Sequence, residues 1–179
     1  NDTPDEVWFL DHLPVFTIGK LGKPHNLLSR TQIPLVQSDR GGDITYHGPG
    51  QLVVYLLLDL ARRNLGVRQL VSLIEDTLIC LLSSYGVRAS TMEQVPGVFV
   101  GSKKVGFLGL RVRRGKTYHG FSLNIDMDLA PFKIINPCGY EGLEVTDLKA
   151  LGKNTEMKVV VDDIKSILDL KLRKIGRIA

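Results

Sequence analysis

The chain of 179 residues has room for one compact domain and little more. It is 44% apolar and 23% charged, as ordinary globular proteins are, and no stretch approaches the roughly 20 apolar residues of a membrane span. A net charge of +4 favours acidic partners, nucleic acid and acidic carrier proteins among them, while two cysteines make no disulfide framework and point to a reducing cytoplasm.

Glu6 to Asp11 reads as a strand closed by the His12-Leu13-Pro14 break, and Phe16 to Ile18 as a second, short one. The loop Gly19 to Asn26 follows, then a short strand at Leu35 to Gln37 and a Gly-rich loop over Ser38 to Gly50. Gln51 to Leu58 is apolar on both faces, which predicts a central strand covered on both sides. Val67, Leu70, Val71, Ile74, Leu78, Leu81, Leu82 and Tyr85 then recur at helical spacing, with Gly86 as the stop. Val98 to Val100 and Val105 to Arg113 are expected as a hairpin across Gly101-Ser102-Lys103, followed by a strand over Thr117 to Ile125. Asp126 to Gly142 is irregular. Val160, Ile164, Ile167, Leu168, Leu172 and Ile175 predict a final helix, on which Asp169 and Arg173 form an i,i+4 pair. Strands with two interposed helices indicate an α/β or α+β domain with a sheet flanked by helices.

Arg40-Gly41-Gly42-Asp43-Ile44-Thr45-Tyr46-His47-Gly48-Pro49-Gly50-Gln51 concentrates four glycines and several hydrogen-bonding side chains directly before the buried strand. Gly and Pro alone make a turn. Arg, Thr, Tyr, His and Gln beside them make a binding loop, its backbone N–H groups bared for a carbonyl or phosphate. Thr45-Tyr46-His47-Gly48 is echoed by Thr117-Tyr118-His119-Gly120, which places two of the four histidines in matching local contexts.

Cys80 lies between Ile79 and Leu81 in a helix and reads as a core cysteine. Cys138 stands in Asn136-Pro137-Cys138-Gly139, where Pro and Gly hold an open loop around the thiol. A reactive thiol needs a nearby cation, because an ordinary one is only a few per cent thiolate at neutral pH. Lys104 is a candidate; strand alternation turns Lys103 and Lys104 to opposite faces, so one of them at most points inward. Arg111, Arg113, Arg114 and Lys116 form a basic run suited to a solvated edge or to an acidic protein or phosphopantetheine arm. No metal-ligand spacing and no Walker-type or G-x-G-x-x-G loop is present.

Together these segments resemble the lipoyl(octanoyl) transferases, relatives of the biotin and lipoate protein ligases. Arg40 to Gln51 matches the family's RGGxxTYHGPGQ loop, and Lys104 to Arg111 with Thr117 to Asn124 matches its second block. Pro137 to Gly139 with Val145 to Leu148 matches the third, and Glu6 to Gly19 its upstream strand. Two departures are a missing N-terminal segment ahead of Asn1 and Tyr55-Leu56-Leu57 in place of Y-P-[IL].

The resemblance implies a single domain over residues 1–179, a mixed β-sheet flanked by helices, like the ligases' catalytic domain. It implies Cys138 as nucleophile toward an octanoyl (or lipoyl) thioester of acyl carrier protein, and Lys104 as the group that stabilises the thiolate and later helps to deprotonate the incoming lysine. It implies substrate binding by Arg40, Gly41, Gly42, Asp43, Ile44, Thr45, Tyr46 and His47, by Phe107, Leu108 and Gly109, and by Gly120, Phe121 and Ser122. The acceptors implied are lipoyl domains of 2-oxoacid dehydrogenases and the glycine cleavage H protein. No metal, no cofactor beyond the carrier's phosphopantetheine, no nucleic acid and no membrane is expected, and a monomer is. The cytoplasm is the expected place, or a mitochondrion if a transit peptide precedes Asn1. Two rival readings are an ATP-dependent lipoate or biotin ligase of the same fold and, more distantly, a basic nucleic-acid-binding module using Arg111 to Lys116.

Overall fold

The computed structural model describes residues 3–175; the ends of the expected 1–179 domain lie outside the described residues. In chain order the elements are β1 (Glu6–Leu10), β2 (Val15–Ile18), β3 (Leu35–Gln37), β4 (Ile44–His47), β5 (Gln51–Leu57), α1 (Val67–Ser84), β6 (Ser90–Met92), β7 (Val95–Val100), β8 (Lys103–Leu108), β9 (Arg111–Arg113), β10 (Lys116–Tyr118), β11 (Gly120–Asn124) and α2 (Met157–Ile175). Single 3-10 turns at Ala130–Ile134 and Pro137–Gly139 punctuate the region expected to be irregular.

Six strands form one antiparallel sheet in the order β1-β5-β11-β8-β7-β6. The mixed strand direction resides in a second sheet, β3-β2-β4, where β2 pairs parallel to β3 and antiparallel to β4. Apart from Gln51 and Tyr55, β5 is aliphatic because it lies inside the large sheet with little exposure on either face. Leu52, Val54 and Leu56 join the main core with Leu70, Ile74, Leu78 and Leu81 of α1 and Val160, Ile164, Leu168 and Leu172 of α2. The two helices therefore cover one face of the large sheet, each through a stripe at i, i+4 spacing. On the other face Phe107 packs with Phe16, Ile44, Tyr46, Met127, Phe132 and Ile135, which ties the small sheet across it.

Four expectations are corrected. Cys80, read as a core cysteine, is exposed on α1. Residues 38–50 are not all loop, since Ile44–His47 forms β4; its alternating Ile44 and Tyr46 are buried among the second cluster, a pattern hidden in the sequence by the glycines around it. The strand expected over Val105 to Arg113 breaks at Gly109-Leu110, where the Leu110 carbonyl leaves the sheet to accept the Gly41 N–H. The strand expected over Thr117 to Ile125 breaks at His119, whose φ of 59° is incompatible with extended backbone. The freed pieces, β9 and β10, pair with each other as a two-stranded ribbon, and β10 also bridges residues 58–60, with the Thr117 N–H donating to the Leu58 carbonyl. The edge strand β6 is short, polar and exposed, so it carries no strand signal.

Candidate active site

β8 delivers Lys104. Its N–H donates to the Glu144 carbonyl and its carbonyl accepts from the Thr146 N–H, so residues 144–146 run alongside it. Strict alternation over a three-residue separation would send Lys104 and Phe107 to opposite faces of β8. The register slips by one residue between Val98 and Phe99: Val98 pairs with Gly106, and Phe99 with Lys104. That bulge lets Val105 join the helix-side core while Lys104 turns to the face of Phe107. Lys104 is 1% exposed, with Nζ 5.0 Å from the Phe107 ring centre and 5.5 Å from that of Phe99. Its neighbour Lys103 points outward to Glu144.

Cys138 comes from the turn Pro137–Gly139, with the cysteine itself at φ 58° and ψ 17°. Lys104 Nζ lies 3.4 Å from Cys138 Sγ and donates to the Pro96 carbonyl at 2.7 Å. Among the described residues no carboxylate pairs with Lys104, whose Nζ has the Pro96 carbonyl and the Cys138 sulfur as its partners. Gly97 makes the arrangement possible. At φ 137° it carries no Cβ, and one built there would stand 2.5 Å from Lys104 Cε and 2.6 Å from the Gly106 carbonyl oxygen. Gly97→Ala is therefore expected to push Lys104 away from the sulfur, slow alkylation of Cys138 by iodoacetamide at pH 7, and cost about 1–3 kcal/mol of stability in denaturant titration.

The cysteine loop is tied to the glycine-rich loop through Asn26. The Asn136 N–H donates to the Asn26 carbonyl at 2.8 Å, and Asn136 Nδ2 to Asn26 Oδ1 at 3.2 Å. Asn26 Nδ2 in turn donates to Asp43 Oδ2 at 2.6 Å, and Asp43 Oδ1 accepts from the Ile44 and Lys23 N–H groups. Asp43 is thus a buried strut between two loops rather than a wall of the cleft. Ile44 and Tyr46 face the second core, and Gly41 holds Leu110, so none of these four lines the cleft.

The remaining expected binding residues do line it. Arg40, Gly42, Thr45 and His47 form one wall; Phe107, Leu108 and Gly109 with Gly120, Phe121 and Ser122 form the other, and Cys138 stands at the edge of a space of about 470 Å3 including its open mouth. Val53, Ser122 and Phe107 are partners in register across β5, β11 and β8 and make an apolar floor broken by one hydroxyl. Arg40 donates from Nε and Nη2 to the Thr17 hydroxyl and carbonyl and from Nη1 to the Gly41 carbonyl. Burial pulls the Arg40 guanidinium below its usual range, while the charges of Cys138 and Asp43 act to raise it. The thiol therefore has a second cation within electrostatic reach.

Both histidines of the repeated Thr-Tyr-His-Gly line the cleft. Asn124 Nδ2 donates to the Thr146 carbonyl, so its Oδ1 accepts from Gln51 Nε2 at 2.9 Å. Gln51 Oε1 must then accept from His47 Nδ1–H at 2.6 Å, which leaves Nε2 of His47 as an acceptor. Burial lowers the His47 pKa from 6.5 to about 4, helped by Arg40 and His12. In the unfolded chain this group binds its proton near 6.5, so stability is fully present above that pH and declines as pH falls toward 4. NMR titration is expected to keep the His47 ring neutral down to that pH, and His47→Gln to flatten the corresponding part of the stability profile. At the mouth, His119 and Tyr118 hydrogen-bond Asp39, and these bonds, His119 first, hold its carboxyl down to about 2. Sequence reasoning missed Asn26, Val53, Tyr55 and Gly97; each matters through a neighbour remote in the chain, and none stands in a chemical motif except Tyr55, whose hydroxyl meets His12 Nε2 at 3.1 Å.

A model of the lipoyl protein ligase A/B catalytic domain matches residues 1–169. The chain belongs to that family. An octanoyltransferase of Laribacter hongkongensis is 53% identical over 97% of this chain and 84% of its own length. One of Pseudomonas entomophila is 57% identical over 89% of this chain and 74% of its own. Among solved structures, a lipoate-protein ligase A bound with ATP superposes with a TM-score of 0.78 at 14% identity, over 96% of this chain and 74% of that one. The biotin protein ligase of Aquifex aeolicus gives 0.59 at 20% identity, over 73% and 56%. These identities speak for the fold, an α+β domain of the lipoate and biotin ligase type. No helix among the described residues is long and apolar enough to cross a membrane.

Proposed function

We propose that the protein is an octanoyltransferase of protein lipoylation, which carries an octanoyl group from acyl carrier protein to the target lysine of a lipoyl domain through a thioester on Cys138. The observation that carries this reading is the buried Lys104 ammonium 3.4 Å from the Cys138 sulfur, at the edge of a cleft with an apolar floor. The octanoyltransferase relatives, more than half identical to it, support the acyl group.

The protons balance over two steps. The Cys138 thiolate attacks the carrier's thioester carbonyl; the C–S bond to phosphopantetheine breaks, and the departing thiolate takes a proton from the Lys104 ammonium. Lys104 is then a neutral amine. The incoming lysine amine attacks the acyl-cysteine, gives its surplus proton to Lys104, and expels the Cys138 thiolate, so the pair returns to its starting charges. His47 Nε2, neutral at working pH, offers the amine an acceptor within the cleft. Arg40, Gly42, Thr45 and His47, with residues 107–109 and 120–122, hold the acyl chain and its carbonyl. No cofactor of the protein's own enters this scheme.

Intact-mass and peptide mass spectrometry after incubation with octanoyl carrier protein tests the reading. An octanoyl adduct on Cys138 that is discharged by a lipoyl domain is expected. ATP–pyrophosphate exchange with free octanoate and no adduct would establish the ligase reading instead.

A further inference from the structure

The ribbon of β9 and β10 has a composition that folding alone does not favour. Its register pairs Arg113 with Lys116, Val112 with Thr117 and Arg111 with Tyr118. Val112 and the buried Thr117 face inward, so Arg111, Arg113, Lys116 and Tyr118 share the outward face. Arg113 and Lys116 are like charges directly opposite one another, an arrangement that destabilises a strand pair. The two-residue turn has φ of 52° at Arg114 and 74° at Gly115, a geometry that prefers Asn-Gly. Arg111 adds a third anomaly, because its Nε is buried without a hydrogen-bond partner.

Elsewhere many surface cations are neutralised locally: Arg63 by Asp5, Lys103 by Glu144, Lys149 by Asp126 and Arg173 by Asp169. On the ribbon Lys116 has Asp59 at 3.3 Å, but among the described residues Arg111, Arg113 and Arg114 form no ion pair. The ribbon is also placed at the cleft. The Gly41 N–H binds the Leu110 carbonyl at its root, and Tyr118 shares Asp39 with His119, a cleft residue. Arg113 and Arg114 thus lead outward from the cleft mouth with no carboxylate paired to them among the described residues, while Arg111 acts on Asp39 through space.

We infer that this ribbon is the docking surface of the acyl donor: Arg113 and Arg114 meet carboxylates of an acidic carrier protein, and Arg111 takes the phosphodiester at the root of its prosthetic arm. The inference rests on the donor assignment above. A phosphodiester fits Arg111 because an orphan guanidinium donor at the mouth is satisfied when the arm enters. An acidic carrier fits the outer residues because its carboxylates relieve the repulsion that the ribbon stores when alone.

The test compares donors that share the acyl group and differ in what surrounds it. With Arg113→Glu/Arg114→Glu, KM for octanoyl carrier protein is expected to rise about tenfold or more with little change in kcat, while octanoyl-pantetheine and the lipoyl-domain acceptor keep their parental KM values. Arg114→Asn, which suits the turn better, controls for folding: it raises Tm yet still raises KM for the carrier by about threefold. Arg111→Gln weakens the phosphopantetheine thioester but leaves the pantetheine thioester, which lacks the phosphate, untouched. An unchanged KM for the carrier overturns the proposal. So does an equal loss with pantetheine, a loss confined to the acceptor, or a loss of RNA binding with carrier kinetics intact. If the unmodified protein transfers from neither donor, the donor assignment itself fails and the docking surface falls with it.

Discussion

Cys138→Ser is expected to fold as the parent does and to lose octanoyl transfer by at least about 1000-fold, with no acyl adduct at residue 138. An alcohol in this position cannot use the geometry around it. The scheme needs an anion at residue 138 before attack, and a thiol forms one far more readily than a hydroxyl does. Nor can His47 rescue serine, since it commits its Nδ1–H to Gln51 and, among the described residues, no hydrogen bond ties its Nε2 to residue 138. The backbone sharpens the prediction. Residue 138 sits at φ 58°, where a side chain costs about 1–2 kcal/mol relative to glycine. Cys138→Gly is therefore expected to be at least as stable as the parent in thermal unfolding while wholly inactive. Such a result would mean that the turn carries strain for the sake of the thiol it presents.

How much of this was legible before the fold depends on the distance over which each residue acts. The loop Arg40 to Gln51 announces itself because its glycines and polar side chains are contiguous, and the helices because their stripes are local. Within that loop the sequence cannot separate residues that face the cleft from those that do not. Thr45 and His47 line it while Ile44 and Tyr46 pack away, a division made by a four-residue strand with too few residues to show a period. The pairing of Lys104 with Cys138 lies further out of reach. It needs a bulge that puts Lys104 on the same face of β8 as Phe107, and a turn brought in from 34 residues away. Asn26 is the least visible of all. It carries no chemical signature, yet it joins Asp43, 17 residues on, to Asn136, 110 residues on, and so fixes the nucleophile's loop against the binding loop. The repeated Thr-Tyr-His-Gly was visible, and its meaning was not: the two histidines share a cleft, while Tyr46 enters a core and Tyr118 reaches Asp39.

Lys104→Met is expected to lower transfer by at least about 100-fold, the range of a lost general acid–base group, while Lys103→Ala changes little. Iodoacetamide should alkylate Cys138 more slowly at pH 7 in the variant, because the sulfur loses the ammonium 3.4 Å away. Stability should move the other way. Lys104 is fully buried between Phe99 and Phe107, and methionine fills nearly the same volume without a charge to desolvate. The cost on the other side is one unsatisfied carbonyl at Pro96, about 1–3 kcal/mol at most. The balance depends on the state of the sulfur, which gives the test its resolution. With Cys138 present, the thiolate compensates the ammonium, and Lys104→Met gains little in Tm. With Cys138→Ser the ammonium has no anion in reach, and Lys104→Met should then stabilise the protein clearly. That difference is the coupling energy of the pair, read by a double-mutant cycle in unfolding with no turnover involved. A cycle that closes without coupling would mean that lysine and cysteine are neighbours but not an ion pair, and transfer would then have to draw its thiolate from Arg40.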